Sequence, residues 1–482
     1  MPPRYLLALD AGTTGNRAIL FDDRLAVVAR AYRELPQSFP RPGWVEHDPA
    51  QILQGCLAVL REALSGVDPT RVAALGITNQ RETALVWDRS TGEATRPAIV
   101  WQDRRTADAC AALKEQGLEE RIRRQTGLML DPYFSATKWQ WMFRAQKPAA
   151  SEIVGTVDSW LLFHLSGGLH ATDPSNASRT LLFDLERGAW DEDLCGLFEV
   201  PMDRLPEIRP SCGDFGRTRR DLVGAEIPIA AVAGDQQAAL FGQGAFRAGR
   251  AKNTYGTGLF LMAHTGRELS RVPGLLTTVA WRIGEETEYA LEASAFSAGA
   301  AIQWLRDGLR FFATSEESEA LAQSVPDCAG ISFVPALTGL GAPHWSPRAR
   351  GAFTGLTRGA TAAHLTRAAL ESMAYQTREL LDCLPRRPDV LRVDGGATRN
   401  DFLMQLQADV AGIAVERGAT PEVTALGAAA LAGLSAGVFS SRDSIGELLR
   451  FDRVFHPSGP REELEAGYRR WLEAVSVVVE NA

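Results

Sequence analysis

The sequence predicts an α/β protein of two related halves, with a ligand site in the cleft between them. The length of 482 residues exceeds what one hydrophobic core usually supports and favours two domains. A Gly/Thr turn between two extended segments occurs twice, around Gly12 and around Gly256. The central stretch from Gly234 to Phe260 places Asp235 shortly before the second turn. Two such turns suggest that the two halves bind one polyphosphate between them.

The first turn follows an apolar segment, Tyr5–Asp10, that is typical of a buried strand. Residues 11–15 form a tight turn, and residues 18–21 are predicted to be the returning strand. Glycine lets the backbone approach an anion closely, and the hydroxyls of Thr13 and Thr14 point at its oxygens together with the turn N–H groups. A Gly/Thr hairpin without a ligand is common, so this motif alone does not establish a phosphate site.

Two charged residues flank this turn. Asp10 ends the first strand and faces the turn. Hard cations prefer oxygen ligands, so we expect Asp10 to hold Mg²⁺, directly or through water. Arg17 adds a permanent cation near the same turn.

Asp235 stands beside two amides, at the start of a helix-like apolar run. Taken alone, a helix N-cap is the favoured explanation, because aspartate often accepts hydrogen bonds from the first free N–H groups of a helix. The two phosphate-binding turns shift the balance toward a carboxylate that acts beside a phosphate.

The remaining elements follow from periodicity and caps. A helix from about Pro49 to Leu64 begins after Asp48, and a small-residue helix within 291–304 brings its N-terminus toward a nucleotide, with Gly299 and Gln303 one turn apart. Asn400 directly precedes the predicted helix 401–410, a position typical of a helix cap. Further strands are predicted at 74–78, 83–87, 229–233 and 391–394, and further helices at 362–384, 401–410, 424–433 and 462–479.

Composition excludes several classes of protein. A net charge of −8 with 45% hydrophobic residues gives no electrostatic case for nucleic acid. No apolar run approaches a membrane span, and the first five residues lack the apolar core of a signal sequence. The six cysteines have no metal-ligand or redox spacing, so we expect reduced thiols in a cytoplasmic protein. Lysine is nearly absent, and arginine carries almost all the positive charge.

Six motifs follow one another along the chain: Asp10-Ala-Gly-Thr-Thr-Gly-Asn-Arg17, Ile77-Thr-Asn-Gln-Arg-Glu-Thr83, Val100-Trp-Gln-Asp-Arg-Arg-Thr106, Asp131-Pro-Tyr-Phe-Ser-Ala-Thr-Lys138, the central stretch and Val393-Asp-Gly-Gly396. Together they resemble the FGGY carbohydrate kinases, and among them those that act on glycerol. The resemblance runs in unbroken order from the first strand to about Val438. It implies a duplicated ribonuclease H-like fold, shared with actin-like ATPases, with an active site between domains 1–244 and 245–482.

The resemblance implies ATP- and Mg²⁺-dependent phosphorylation of glycerol to sn-glycerol 3-phosphate, the first step of glycerol utilisation, in a homodimer or homotetramer. Because the transition state of phosphoryl transfer is loose, we expect Asp235 to orient the primary hydroxyl and accept its proton, with Gln236 on a neighbouring hydroxyl. The implied acceptor site comprises Arg81, Glu82, Trp101, Tyr133, Asp235, Gln236 and Phe260. The implied nucleotide site comprises Thr13, Thr14, Gly15, Arg17, Thr257, Gly299, Gln303, Gly396 and Asn400.

Alternatives remain open at this point. Without the resemblance, Arg81 and Glu82 are best explained as a surface ion pair. One rival function is a kinase of the same family acting on a longer polyol or a ketose. A second, from another class, is an actin-like nucleotide-driven ATPase without a small-molecule acceptor. A P-loop enzyme is disfavoured because no Gly-Lys-Ser/Thr cradle occurs.

Departures from the family pattern limit what the resemblance implies. Ala11, Gly15 and Asn16 lack side chains that the commonest first turn carries, which puts nucleotide affinity in question more than function. Some relatives bind an inhibitory sugar bisphosphate through a basic loop, where this chain has the acidic segment 221–228. Others are activated by histidine phosphorylation, and no histidine occurs between His170 and His264. We expect neither control to apply.

Overall fold

The computed structural model describes residues 4–482, so the first three residues of the stretch compared with a signal sequence lie outside it. No helix within residues 4–482 is long and apolar enough to cross a membrane. The strands of this part are β1 Tyr5–Ala11, β2 Gly15–Phe21, β3 Val27–Glu34, β4 Glu46–His47, β5 Val72–Asn79, β6 Leu85–Asp88, β7 Ala98–Ile99, β8 Glu152–Gly155, β9 Ala171–Thr172, β10 Phe183–Asp184, β11 Ala189–Trp190, β12 Glu207–Ile208, β13 Ile229–Gly234, β14 Ala251–Tyr255, β15 Leu259–Gly266, β16 Leu276–Ile283, β17 Glu286–Ala295, β18 Ser332–Val334, β19 Ala352–Thr354, β20 Val390–Asp394, β21 Ala414–Gly418 and β22 Phe451–Phe455.

The helices agree with most of the predicted positions, and Asp48 caps the first of them by accepting from the backbone N–H of Ala50. They are α1 Pro49–Ala63, α2 Ala107–Glu115, α3 Glu119–Thr126, α4 Ser135–Ala145, α5 Val157–Ser166, α6 Pro174–Ala177, α7 Glu192–Leu197, α8 Arg220–Val223, α9 Asp235–Gly242, α10 Gly299–Asp307, α11 Glu317–Gln323, α12 Ala362–Asp382, α13 Asp401–Ala411, α14 Val423–Ser435, α15 Arg442–Gly446 and α16 Arg461–Glu480.

Two sheets share one topology. The first has the order β13-β5-β1-β2-β3, in which β1 and β2 form an antiparallel hairpin and β1, β5 and β13 run parallel. The second has the order β16-β17-β15-β14-β20-β21-β22, in which β14 and β15 form the hairpin and β14, β20 and β21 run parallel. The repeated arrangement confirms the predicted duplicated α/β fold.

The strands predicted on either side of residues 79–82 both form, β5 in the first sheet between β1 and β13, and β6 paired with β8. One local prediction needs correction. The predicted turn from Asn253 to Gly258 is shorter, because Asn253 and Thr254 belong to β14 and pair with both neighbouring strands.

The halves meet through a close packing of α9 against α14. Gly427 of α14 lies so near α9 that an added Cβ would be 1.8 Å from the carbonyl oxygen of Ala238. At Gly242 of α9, a Cβ would lie 2.2 Å from the carbonyl oxygen of Val423. Since both obstacles are backbone atoms, side-chain rotation cannot relieve them, and these glycines set the approach of the two helices.

We therefore expect Gly427→Ala to separate the two helices and to lower the stability of the fold by about 3 kcal/mol, the upper end for overpacking. Gly196 is a matched control, because it is an exposed helical glycine with open space around its Cβ position. Thermal unfolding of both variants tests this. Equal melting temperatures for Gly196→Ala and Gly427→Ala would contradict the account.

Candidate active site

Asp235 lies where β13 ends and α9 begins, at the carboxyl edge of the first sheet. Gly234 occupies the N-cap position, and the Asp235 carboxylate accepts from the N–H of Gln236 at 2.7 Å and lies 3.3 Å from Nε of Arg81. The N-cap explanation of Asp235 is therefore wrong. About a third of its side chain stays exposed, which leaves the carboxylate accessible from the cleft.

The environment of Asp235 sets its proton affinity. Desolvation in the cleft raises the pKa of this carboxyl, while the guanidinium of Arg81, the N–H of Gln236 and the ammonium of Lys252 act in the opposite direction. A carboxylate with a raised pKa is a better proton acceptor than an exposed aspartate, and this favours a base at this position.

Arg81 and Glu82 are buried, so the surface ion pair is wrong as an explanation. They follow β5, and Glu82 has a left-handed backbone with φ of 61°. Nη1 and Nη2 of Arg81 donate to the two carboxylate oxygens of Glu292 at 2.6 and 3.1 Å. Nη2 also lies 3.4 Å from the hydroxyl of Tyr133. The guanidinium is thus fixed in orientation beside Asp235.

Arg179 completes a buried ionic cluster with Arg81, Glu82 and Glu292. Its Nε donates to Glu82 at 2.7 Å and its Nη2 donates to Glu292 at 2.9 Å. Two cations and two anions are therefore enclosed together, and the arginines hold the pKa of Glu292 at about 2 although burial alone would raise it.

Sequence reasoning missed two members of this cluster. It assigned the segment containing Arg179 to structure, and it treated Glu292 as part of a small-residue stretch. Arg179 is the single charge within residues 174–183 and Glu292 is the single charge within residues 289–304, and such an isolated charge is the signal that singles each of them out.

The aromatic residues of the predicted acceptor site lie together. The rings of Trp101 and Tyr133 meet edge to face with centroids 5.6 Å apart. Nε1 of Trp101 donates to the hydroxyl of Thr13 at 2.9 Å, which connects the acceptor site with the first turn. Nζ of Lys138 donates to the carbonyl of Tyr133 at 2.5 Å and fixes the loop that carries this tyrosine.

Phe260 lies on the same sheet face as the ionic cluster. In β15 it is paired with Thr254 of β14 on one side and Ser294 of β17 on the other. Because residues two apart on a strand share a face, Lys252 and Glu292 lie on this face as well. The second sheet thus directs one partly exposed aromatic residue and two charges to a common surface.

Both predicted phosphate turns are closed by one backbone hydrogen bond. The N–H of Gly12 donates to Gly15 at 3.0 Å, and the N–H of Gly256 donates to Gly258 at 3.0 Å. The second turn carries Thr257 at its tip. Each half therefore presents a tight turn where the sequence predicts one, and the closing hydrogen bond spans four residues in the first turn and three in the second.

The N-terminus of α10 has neighbours that the sequence did not indicate. The N–H groups of Ala298 and Ala300 donate to the carbonyl of Thr257, and that of Gly299 donates to Gly256. A Cβ on Gly299 would lie 2.5 Å from the carbonyl oxygen of Gly256. The helix start thus supports the second turn, and these N–H groups are already occupied.

A cavity of about 420 Å³ adjoins the second turn. Its walls include four of the predicted nucleotide residues, Gly299, Gln303, Gly396 and Asn400, together with the second turn itself. A Cβ position on Gly396 faces open space, so its backbone is available to a flat base. Asn400 is also the N-cap of α13, because its Oδ1 accepts from Leu403 at 2.8 Å.

Around the first turn, the departures noted in the sequence have physical reasons. A Cβ on Gly15 would lie 2.4 Å from the ring of Tyr32, so a larger residue there requires this exposed ring to move. Asn16 is fully buried, with its side chain against Gly55 of α1, and is directed away from the turn. Arg17 is about half exposed and lies 3.6 Å from Asp10 and 3.7 Å from Glu422.

Asp10 is buried beside the first turn. Desolvation raises the pKa of its carboxyl to about 7, against the opposing effect of Arg17. Within residues 4–482, no group of three or more His, Cys, Asp or Glu side chains is arranged to hold a metal ion. One carboxylate next to a phosphate site fits Mg²⁺, which commonly takes its remaining ligands from phosphate oxygens and water.

The chain matches known proteins over nearly its whole length. Residues 5–242 match the N-terminal domain and residues 251–436 the C-terminal domain of the FGGY family of carbohydrate kinases. A glycerol kinase of Polaromonas naphthalenivorans is 53% identical and glycerol kinase 2 of Thermotoga maritima is 50% identical, with 98% of this chain and 99% and 98% of the relatives covered. The crystal structure of Plasmodium falciparum glycerol kinase with ADP superimposes with a TM-score of 0.93 at 34% identity, covering 99% of this chain and 98% of that one.

Proposed function

The chain belongs to the FGGY family of carbohydrate kinases, and on that premise we propose that it transfers the terminal phosphoryl group of ATP to glycerol, giving sn-glycerol 3-phosphate. One structural observation carries the proposal. The Asp235 carboxylate lies 3.3 Å from Arg81, and the next residue, Gln236, is joined through Lys252 to Thr254, in the strand that leads to the second turn. Relatives that are 52% and 53% identical to this chain are named glycerol kinases, which supports glycerol as the acceptor.

Glycerol presents three hydroxyls on a short carbon chain, and the acceptor site offers matching groups. Arg81 donates, Glu82 accepts, and Tyr133 does both. The edge-to-face pair of Trp101 and Tyr133 and the nearby Phe260 provide apolar surface for the carbon atoms. Gln236, next to Asp235, supplies an amide for a second hydroxyl.

The donor site is divided between the two halves. Thr13, Thr14 and Arg17 would hold the phosphates from one side and Thr257 from the other, with the adenosine in the cavity at Gly396. Because the turns belong to different sheets, their relative position sets the alignment of donor and acceptor. We place the boundary of the halves at residues 244 and 245, between α9 and β14.

Asp10 would hold Mg²⁺, directly or through water. The bound ion supplies charge neutralisation for the phosphate oxygens. The protein contributes one buried carboxylate there, and Arg17 adds a fixed positive charge at its side.

The chemical step follows from the position of Asp235. Its carboxylate accepts the proton of the primary hydroxyl as that oxygen bonds to the γ-phosphorus, and the bond from phosphorus to the β,γ-bridging oxygen breaks to release ADP. In a loose transition state the hydroxyl loses little of its proton before the phosphorus–oxygen bond breaks, so a carboxylate is a sufficient base. Arg81 orients the carboxylate from 3.3 Å.

A panel of acceptors tests the choice of glycerol against the two rivals. With Mg-ATP, we expect kcat/KM for glycerol to exceed that for erythritol, xylitol and xylulose by at least about 10²-fold, because an enclosed polar site discriminates strongly. A higher value with a longer polyol or a ketose would replace glycerol as the substrate. ADP release that is equal with and without any acceptor would favour the actin-like ATPase.

A further inference from the structure

Lys252 is a fully buried lysine that contacts the catalytic segment. It lies in β14, four residues before Gly256 of the second phosphate turn, with no exposed side-chain surface. Its Nζ donates to Oε1 of Gln236 at 2.5 Å and to the hydroxyl of Thr254 at 2.8 Å. One ammonium group thus connects the helix start that carries Asp235 with the strand that leads to Thr257.

The use of lysine in this chain is selective. Four of the 51 basic residues are lysine, and the rest are arginine. Lys114 and Lys147 are exposed, whereas Lys138 and Lys252 are fully buried and both contact segments of the candidate active site. Lysine carries a compact ammonium on a flexible stem, which suits these buried sites better than the larger planar guanidinium of arginine.

The charges that face Lys252 come from both halves of the molecule. Asp235, Asp394 and Glu292 are the anions that favour its charged form, and Arg81 opposes it. Burial lowers the pKa of Lys252, since desolvation disfavours the ammonium. The surrounding carboxylates oppose this effect without cancelling it, and the Lys252 Nζ lies within hydrogen-bond distance of Gln236, the residue next to Asp235.

Building on the proposed function, we propose that Lys252 is a positioning residue for phosphoryl transfer, which fixes the amide of Gln236 and ties the Asp235 segment to the second phosphate turn. With its oxygen held by Lys252, the Gln236 amide turns its NH₂ group toward the acceptor hydroxyl. The same contact keeps Asp235 in register with Thr257 across the two sheets. A shift of about 1 Å in such an alignment costs about 10²-fold in rate.

The test compares Lys252→Met, Gln236→Leu and the double variant in steady-state turnover of glycerol and Mg-ATP. Lys147→Met is the matched control, because it removes an exposed lysine. We expect kcat to fall about 10²-fold in Lys252→Met while KM for ATP changes less than about threefold. The double variant is expected to be no slower than Gln236→Leu, since both changes remove the same hydrogen bond between Lys252 and Gln236.

Two results would overturn the inference. One is a kcat for Lys252→Met close to that of Lys147→Met. The other is a double variant whose loss equals the product of the two single losses, because independent sites multiply. Melting curves and ADP affinity check that each variant is folded. If Lys252→Met does not fold, Lys252→Gln, which retains hydrogen-bonding atoms in the buried space, must show the same loss of kcat.

The inference and the proposed function fail in different ways. Wild-type protein and Lys147→Met without glycerol-dependent turnover would overturn the function, and the inference with it. An active wild type with an unimpaired Lys252→Met would overturn the inference alone.

Discussion

Replacing Asp235 with asparagine is expected to lower kcat for glycerol by about 10³-fold, within the range for loss of a general base. Asparagine keeps the size of the side chain and can accept from the N–H of Gln236 as the carboxylate does at 2.7 Å. It cannot take the proton of the hydroxyl. Since the ground-state contacts remain, KM for glycerol and for ATP should change little.

Asp108→Asn is the control for Asp235→Asn. Asp108 lies in the first turn of α2 as Asp235 lies in that of α9, but it is exposed. We expect this control to keep the wild-type kcat. If Asp235→Asn retained more than about a tenth of the wild-type kcat, a role as base would be contradicted.

Replacing Glu292 with glutamine is expected to have the largest effect on stability, about 3–5 kcal/mol, because it leaves a buried positive charge uncompensated. Glu292 is fully buried and receives hydrogen bonds from Arg81 and from Arg179. The neutral amide can accept one of these bonds but no longer balances two guanidinium groups. The orientation of Arg81 should also loosen, which raises KM for glycerol.

Glu286→Gln provides a comparison on the same strand. Glu286 begins β17, is more than half exposed and pairs with Arg267 at the surface. An exposed pair of this kind contributes at most about 1 kcal/mol. Chemical unfolding of both variants should therefore separate them clearly. Equal stability of Glu286→Gln and Glu292→Gln would contradict the claim that Glu292 balances the buried charges of Arg81 and Arg179.

The two related halves could be predicted from local signals in the sequence, whereas the duplicated ribonuclease H-like fold was predicted from the resemblance to the FGGY carbohydrate kinases. Each Gly/Thr turn lies between two short extended segments, and Asp48 directly precedes the helix that it caps. Asp235 was singled out because it stands between a predicted strand and a predicted helix close to the second turn, and the structure gives the N-cap position to Gly234.

The ionic cluster could not be predicted, because its bonds join distant parts of the chain. Glu82 and Arg179 are 97 residues apart, and Arg81 and Glu292 are 211 apart. From sequence, Arg81 and Glu82 are neighbours of opposite charge, which suggests that they pair at the surface. The structure buries the two residues with their charged groups 3.7 Å apart and gives each a further partner from another element, and no local pattern carries that information.

The same limit applies to Lys252 and Asn16. Lys252 belongs to a recognised motif, but its bond to Gln236 depends on how β14 packs beside the start of α9. Asn16 follows the first turn, yet its side chain is directed into the interior against Gly55. Side-chain direction at the end of a hairpin is set by packing, which short-range patterns do not encode.

The most direct test of the central claim is ADP release from Mg-ATP by the purified protein, with and without glycerol, together with identification of the product. The account predicts strong dependence on glycerol and one phosphorylated product, sn-glycerol 3-phosphate, with ADP formed in equal amount. Release of ADP at the same rate without glycerol, or turnover that yields inorganic phosphate in place of the phosphorylated polyol, would contradict it.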